Sequence, residues 1–257
     1  MDTAQNVQNN VTDTRFIMGM PITISVVGST REEDIEDVFS YFVSVDNRFS
    51  TYKEHSEIMR INRGELAATD FSADMQEVFA LALTTKRESG GYFDIVSPDG
   101  SIDPSGIVKG WSIRNAADIL RNRGYKHFYI DAGGDIQSEG MSESGETWRV
   151  GIRNPFNHDE IVKVVCPRGA GMATSGTAAR GAHIYNPLKP GEALADIVSI
   201  TVIGPNAMEA DRFATAAFAM GEDGIHFIEM LPGFEAYQID SRGIATMTSG
   251  FNDYVRD

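Results

Sequence analysis

The chain has 257 residues, 42% hydrophobic and 23% charged, an ordinary globular composition with enough length to bury a substantial core. Its formal net charge of −15 argues against a nucleic-acid surface, and it means that an anionic ligand must be met by a cation or by local backbone donors. A single cysteine, Cys166, rules out an internal disulfide and a thiolate zinc cluster, and the histidines show no HxxxH pairing.

The N-terminal MDTAQNVQNNVTDT is polar and lacks the basic and apolar regions of a signal peptide, so a flexible arm is expected over residues 1–14. No run approaches the roughly 20 apolar residues of a membrane span. A soluble, cytoplasmic chain is the expectation, or an exported one if an export segment has been trimmed away. RFIMGMPITISVVG (15–28) reads as a β-branched strand with a Gly-Met-Pro interruption. In the next segment Ile35, Val38, Phe39 and Phe42 recur at helical spacing. STYKEHSEIMRINRG reads as an irregular loop and a short helix stopped at Gly64. From Ser72, a good N-cap, Met75, Val78, Phe79, Ala82 and Leu83 trace one helix face that ends near Gly90-Gly91.

GYFDIVSPDGSIDPSG is turn-rich and leads into a helix from about Ile107, with Ile113, Ala116, Ala117 and Leu120 on its apolar face and a stop at Gly124. Strands are predicted at HFYID, IQSEG, WRVGI, EIVKVVC and DIVSITVIG, with DAGGD (131–135) and GAGMATSG (169–176) read as glycine loops. NAMEADRFAT opens another helix, and AYQIDSRGIATMT closes the chain as a hairpin around Ser241-Arg242-Gly243. Strands arrive in runs rather than alternating with helices, which predicts an α+β fold with mixed or antiparallel sheets packed by helices, in one domain over 15–257.

Three stretches carry chemistry. In EADRFAT, Asp211 and Thr215 stack one turn apart at the border of the stripe Ala210, Phe213, Ala214, Ala217, Phe218, and a carboxylate with a hydroxyl suits a hard cation such as Mg²⁺ as well as it suits a solvated helix edge. In DPSGIVKGW (103–111), a turn enters a helix with Lys109 close to its start, either an anion site or an ordinary loop-to-helix junction, and the spacing is not that of a Walker A loop. GAHIYNP (181–187) sets His183 beside a turn, either as a general base or as a hydrogen-bonded structural residue. The aromatics of STY and GYFD could sandwich a ring, or belong to the core.

The order of these motifs, MG, STY, GGYFD, DPSGIVKGW, AGGD, TSG…HIYNP and EADRFAT with a closing MG, resembles that of the FAD:protein FMN transferases, the ApbE-like family once labelled thiamine-biosynthesis lipoproteins. The resemblance spans residues 15 to about 221. It implies an active-site cleft between two sub-regions, FAD as substrate and Mg²⁺ as cofactor, and transfer of FMN to an acceptor flavoprotein carrying a Ser/Thr-Gly-Ala-Thr-type segment, with AMP released. The family's metal ligands fall on Asp211, Thr215 and the backbone carbonyl of Gly106. Its FAD contacts fall on Met18, Tyr52, Tyr92, Phe93, Asp94, Asp103, Lys109 and Tyr185. His183 falls on the histidine assigned to assist transfer, with Asp94 as another acceptor for the hydroxyl proton.

The chain departs from the family pattern at Pro104, Val108, Trp111 and, in HIYNP, at Asn186 where a carboxylate is usual. It also lacks a lipidation cysteine near its start. Two alternatives use the same groups: a pyrophosphatase giving FMN and AMP, and a non-catalytic FAD-binding protein.

Overall fold

A computed structural model describes residues 10–28, 31–177, 184–192, 194 and 196–256. The predicted first strand is a hairpin, β1 (Val11–Ile17) and β2 (Met20–Val26), turned at Met18 and Gly19, both of which have positive φ. The Gly-Met-Pro interruption is thus a reversal of direction. It also shortens the expected N-terminal arm, because Val11–Thr14 pair with β2 and are not flexible coil.

Helices α1 (Glu32–Phe49), α2 (Glu57–Asn62) and α3 (Ala73–Glu88) follow where the apolar spacing places them. Ser72 caps α3 by accepting the Met75 amide at 3.2 Å. Its buried face is narrower than the sequence suggests, since Leu83 is exposed. Helix α4 (Ser105–Asn122) starts two residues before Ile107 and buries Ile113, Ala116, Ala117 and Leu120. Strands β3 (Phe128–Ala132) and β4 (Asp135–Glu139) make a hairpin through Gly133-Gly134, and β5 (Val150–Asn154) pairs with β6 (Asn157–Val165) as a separate two-stranded sheet. Next come β7 (Gly171–Gly176), β8 (Ile197–Gly204), α5 (Ala207–Ala219), the short α6 (Gly224–Glu229), β9 (Glu235–Asp240) and β10 (Ala245–Met247).

Eight strands form one antiparallel sheet in the order β1-β2-β3-β4-β7-β8-β9-β10. The α+β expectation therefore holds. One correction concerns GAGMATSG, which is not a loop but contains β7, a central strand between β4 and β8. Its glycines and small residues conceal it from propensity, and α6, a single short element, also went unpredicted.

Helix α5 organises the interior. Ala207 belongs to the cluster formed with α1, α4 and β2–β3, Ala210, Phe213 and Phe218 to the cluster with β7–β9, and Ala216 to the cluster with α1–α4. A helix wrapped on nearly every side needs small side chains, which explains its run of alanines. Its N-terminus is seated by Asn206, whose side chain accepts the Glu209 amide at 3.1 Å, and by the buried Gln137 of β4, whose Oε1 accepts the Ala207 amide at 2.9 Å. The reciprocal half of a capping box is absent because Glu209 pairs with Arg212 instead.

Helices α4 and α5 touch at Gly110. A Cβ there would stand 2.5 Å from both the Ala207 carbonyl oxygen and the Asp211 Cβ, closer than packed atoms allow. Gly110→Ala is expected to destabilise the fold by roughly 1–3 kcal/mol through forced separation of the helices, read as a lower midpoint in thermal or urea unfolding. An unchanged midpoint would show that the seam opens at no cost.

Candidate functional site

The end of the sheet, the α4–α5 seam and the β5–β6 hairpin enclose a cavity of about 720 Å³, within the roughly 300–1,000 Å³ of small-molecule sites. Its α-helical wall is built from the seam. Gly106 and Lys109 come from α4 at i, i+3, and Asp211 and Thr215 come from α5 at i, i+4, each pair about one turn apart on its helix. The Thr215 hydroxyl donates to the Gly106 carbonyl at 3.3 Å, and Ser175 Oγ of β7 lies 3.5 Å from Thr215 Oγ1. Gly106 lets these groups meet, since a Cβ there would lie 3.1 Å from the Thr215 methyl group.

Asp211 is not at a solvated helix edge, as its place on the stripe border allowed, but buried at 4% exposure. Its Oδ2 accepts the Gly110 amide at 2.7 Å, the amide that a regular helix turns toward the Gly106 carbonyl. Burial first, and the neighbouring Asp135 carboxylate second, push its pKa up to about 8, against the opposing pull of Lys109. Asp135 at the start of β4 is 1% exposed; its Oδ1 accepts the Thr174 amide at 3.1 Å, and its Oδ2 stands 2.7 Å from Lys109 Nζ. Two buried acids thus face one lysine, and this corner of the cavity is short of positive charge.

The other predicted residues divide. Tyr92, Phe93 and Asp94 line the cavity; Phe93 is buried, and Asp94 pairs with Lys86 at 2.5 Å while its second oxygen accepts the Val96 amide at 3.0 Å. Asp103 and Tyr185 also line it. Asp103 Oδ1 caps the start of α4 by accepting the Ser105 amide at 2.9 Å, and the Tyr185 hydroxyl donates to the Val96 carbonyl at 3.2 Å. Met18 sits in the β1–β2 turn next to Gly19, Met20 and Pro21, which line the cavity, whereas Met18 itself does not. Tyr52 is not brought to the cavity: it is 98% exposed in the turn after α1. His183 lies outside the described residues. Asn186 is buried and is not among the residues that line the cavity; its Oδ1 accepts the Leu188 amide at 2.9 Å, a turn that a carboxylate at the same position would make equally well.

Sequence reasoning missed the acids of DAGGD. Asp135 reaches Lys109, while Asp131 lines the β5–β6 side of the cavity, accepts the Gly134 amide at 2.8 Å, and has its proton affinity raised chiefly by burial. The available signal was an aspartate on each side of a two-glycine hairpin. Also on that side, Arg149 comes from a segment read only as a strand, and Arg153 and His158 from the unassigned stretch between two predicted strands.

The arrangement offers hard oxygen donors, namely a carbonyl, a hydroxyl and a carboxylate, beside a cationic side chain and an open cavity. Among the described residues no three His, Cys, Asp or Glu side chains converge on a metal-sized space, so a cation here would depend on this mixed set. The set fits magnesium: its donors are oxygens, and the raised proton affinity of the buried Asp211 marks a carboxylate short of a positive partner, a place a cation would fill in competition with the proton. Among the described residues no helix is long and apolar enough to cross a membrane.

A family model described as the ApbE family matches residues 18–97 and 96–238. An FAD:protein FMN transferase of Vibrio cholerae serotype O1 is 30% identical over 167 residues, covering 62% of this chain and 48% of that protein. The FAD:protein FMN transferase of Haemophilus influenzae is 24% identical over 260 residues, covering 77% of this chain and 75% of that protein. This chain thus spans about half the length of the Vibrio relative and three quarters of the Haemophilus one. The crystal structure of the ApbE protein of Thermotoga maritima superposes with a TM-score of 0.85 at 18% identity, covering 97% of this chain and 100% of that one, and so shares the fold.

Proposed function

Because this chain belongs to the ApbE family, we propose that it is an FAD:protein FMN transferase, which in a magnesium-dependent reaction moves the FMN part of FAD to a threonine or serine hydroxyl of an acceptor protein and releases AMP. The observation that supports this most directly is the convergence of the Gly106 carbonyl, the Thr215 hydroxyl and the Asp211 carboxylate on one wall of a cavity large enough for a dinucleotide.

These three groups would hold the cation, which supplies charge neutralisation on the diphosphate oxygens. Lys109, on the same wall, meets the diphosphate as a point charge and offsets the repulsion expected from a chain of net charge −15. Tyr92 and Phe93 on one side and the β5–β6 hairpin on the other exclude water from the reacting groups. The acceptor hydroxyl attacks the phosphorus on the FMN side; a phosphoester forms, the P–O bond to AMP breaks, and AMP leaves with the bridging oxygen. The hydroxyl proton goes to His183. Asp94 is the weaker choice, since each of its oxygens already has a partner in Lys86 and the Val96 amide. The acceptor is a protein presenting a Ser/Thr-Gly-Ala-Thr-type segment.

The test incubates the protein with FAD and Mg²⁺, with and without such an acceptor, and with a chelator control. A covalently fluorescent acceptor plus AMP, both lost with chelator, is the expected result. Release of FMN and AMP with no labelled acceptor would replace transfer by hydrolysis, and intact FAD throughout would leave a binding protein.

A further inference from the structure

We infer that Asp135 is a positioning residue for Lys109, holding the lysine where it meets the diphosphate of FAD; this role rests on the transferase reading above. Asp135 is a buried charge, and a buried charge is costly unless it is partnered. Its two oxygens go to different elements: Oδ1 takes the Thr174 backbone amide of β7 at 3.1 Å, and Oδ2 lies 2.7 Å from Lys109 Nζ on α4. The carboxylate itself belongs to the β3–β4 hairpin. Three elements therefore meet at one side chain on the wall of the cavity.

A purely structural anchor has no need of charge here, because an asparagine would accept the Thr174 amide equally well. What the charge adds is the hold on Lys109. The lysine stem has four flexible carbons, and its ammonium is a point charge without the built-in direction of a guanidinium. Asp211 is the other buried carboxylate that feels Lys109. Without Asp135, the ammonium is drawn toward Asp211 and the cation seam rather than held at the start of β4 facing the cavity. Asp135 thus separates two positive charges that the same diphosphate needs, the lysine and the cation, by giving the lysine its own counter-ion.

The test is a double-mutant cycle on the full chain, using Asp135→Asn, Lys109→Met and the double variant. FAD affinity is read by flavin fluorescence, and transfer to the acceptor is read as kcat and KM. Asp135→Asn is expected to weaken FAD binding about 5-fold and to lower kcat about 10-fold or more, because misplacing a positioning group costs mainly turnover. In the Lys109→Met background the same substitution should change either quantity by less than about 2-fold. Asp135→Ser, smaller and still offering an oxygen, serves if the asparagine variant does not fold. An equal loss in both backgrounds overturns the inference, since Asp135 then acts independently of Lys109, and so does an Asp135→Asn protein with wild-type binding and turnover. A wild-type chain that binds FAD but transfers nothing removes the transferase reading and leaves the cycle to be decided on affinity. A wild-type chain that binds no FAD overturns both.

Discussion

Replacing Asp211 with asparagine is expected to abolish magnesium-dependent turnover of FAD, by roughly three orders of magnitude, because the variant removes the only carboxylate in the proposed ligand set. The shape of the site should survive: the asparagine Oδ1 can still accept the Gly110 amide that Asp211 accepts at 2.7 Å. AMP release against magnesium concentration, followed by chromatography, reads the effect. Full magnesium-dependent activity in the variant would mean that Asp211 is not a ligand.

The same residue carries a pH signature. Burial and Asp135 raise its pKa in the folded chain from an ordinary 3.8 to about 8. An acid that holds its proton more tightly when folded favours the fold while it is protonated. Without a divalent cation, that contribution is present at low pH and is lost progressively as pH rises from about 3.8 through about 8. Asp211→Asn, which cannot ionise, should therefore gain stability relative to the parent across this window and hold a constant advantage above it. Cation and proton compete for the carboxylate, so magnesium should stabilise the parent more at pH 9 than at pH 6 and should do little for the variant. Thermal unfolding at several pH values, with and without magnesium, measures both; a stability difference that stays flat with pH would contradict the raised proton affinity.

The second large effect is at a residue that does not itself line the cavity. Gly171→Ala is expected to destabilise the chain by on the order of 4 kcal/mol or more, lowering the unfolding midpoint by roughly 8 °C or more. A Cβ at Gly171 would stand 1.9 Å from the Ala207 amide nitrogen and 2.0 Å from the Asn206 carbonyl carbon. These are backbone atoms at the N-terminus of α5, which Asn206 and Gln137 hold in place, so no flexible side chain can swing aside. Relief requires α5 to move off β7, and with it Asp211 and Thr215. A substitution that leaves both the midpoint and FAD binding unchanged would show that this contact is looser than its geometry.

The sequence by itself determined every helix but α6 and most of the strands, because their signals are local. Spacing of 3.6 in α1 and α4, the Ser72 cap and the β-branched run of β8 each follow from neighbouring residues. The ordered motifs also pointed to one family, and to Gly106, Asp211 and Thr215, which do converge on one cavity. Local patterns fail where a residue serves distant partners. The strand in GAGMATSG was hidden because its glycines answer to the helix lying on it. Gly19-Met20-Pro21 read as an interruption, although the chain reverses at Met18-Gly19 in a turn stabilised by the pairing of the strands on either side.

Only the tertiary structure decided the charge balance of the site. Asp135 and Lys109 lie 26 residues apart and Asp135 and Asp211 a further 76, and no spacing rule links them. Burial turned Asp211 from an apparent surface acid into a proton-holding one, while Tyr52, alike in sequence character to Tyr92, lies in solvent away from the cavity. The physical reason is that helix and strand propensities act over a few residues, whereas desolvation and ion pairing depend on which surfaces meet, and that is settled when α5 seats on β7 and against α4.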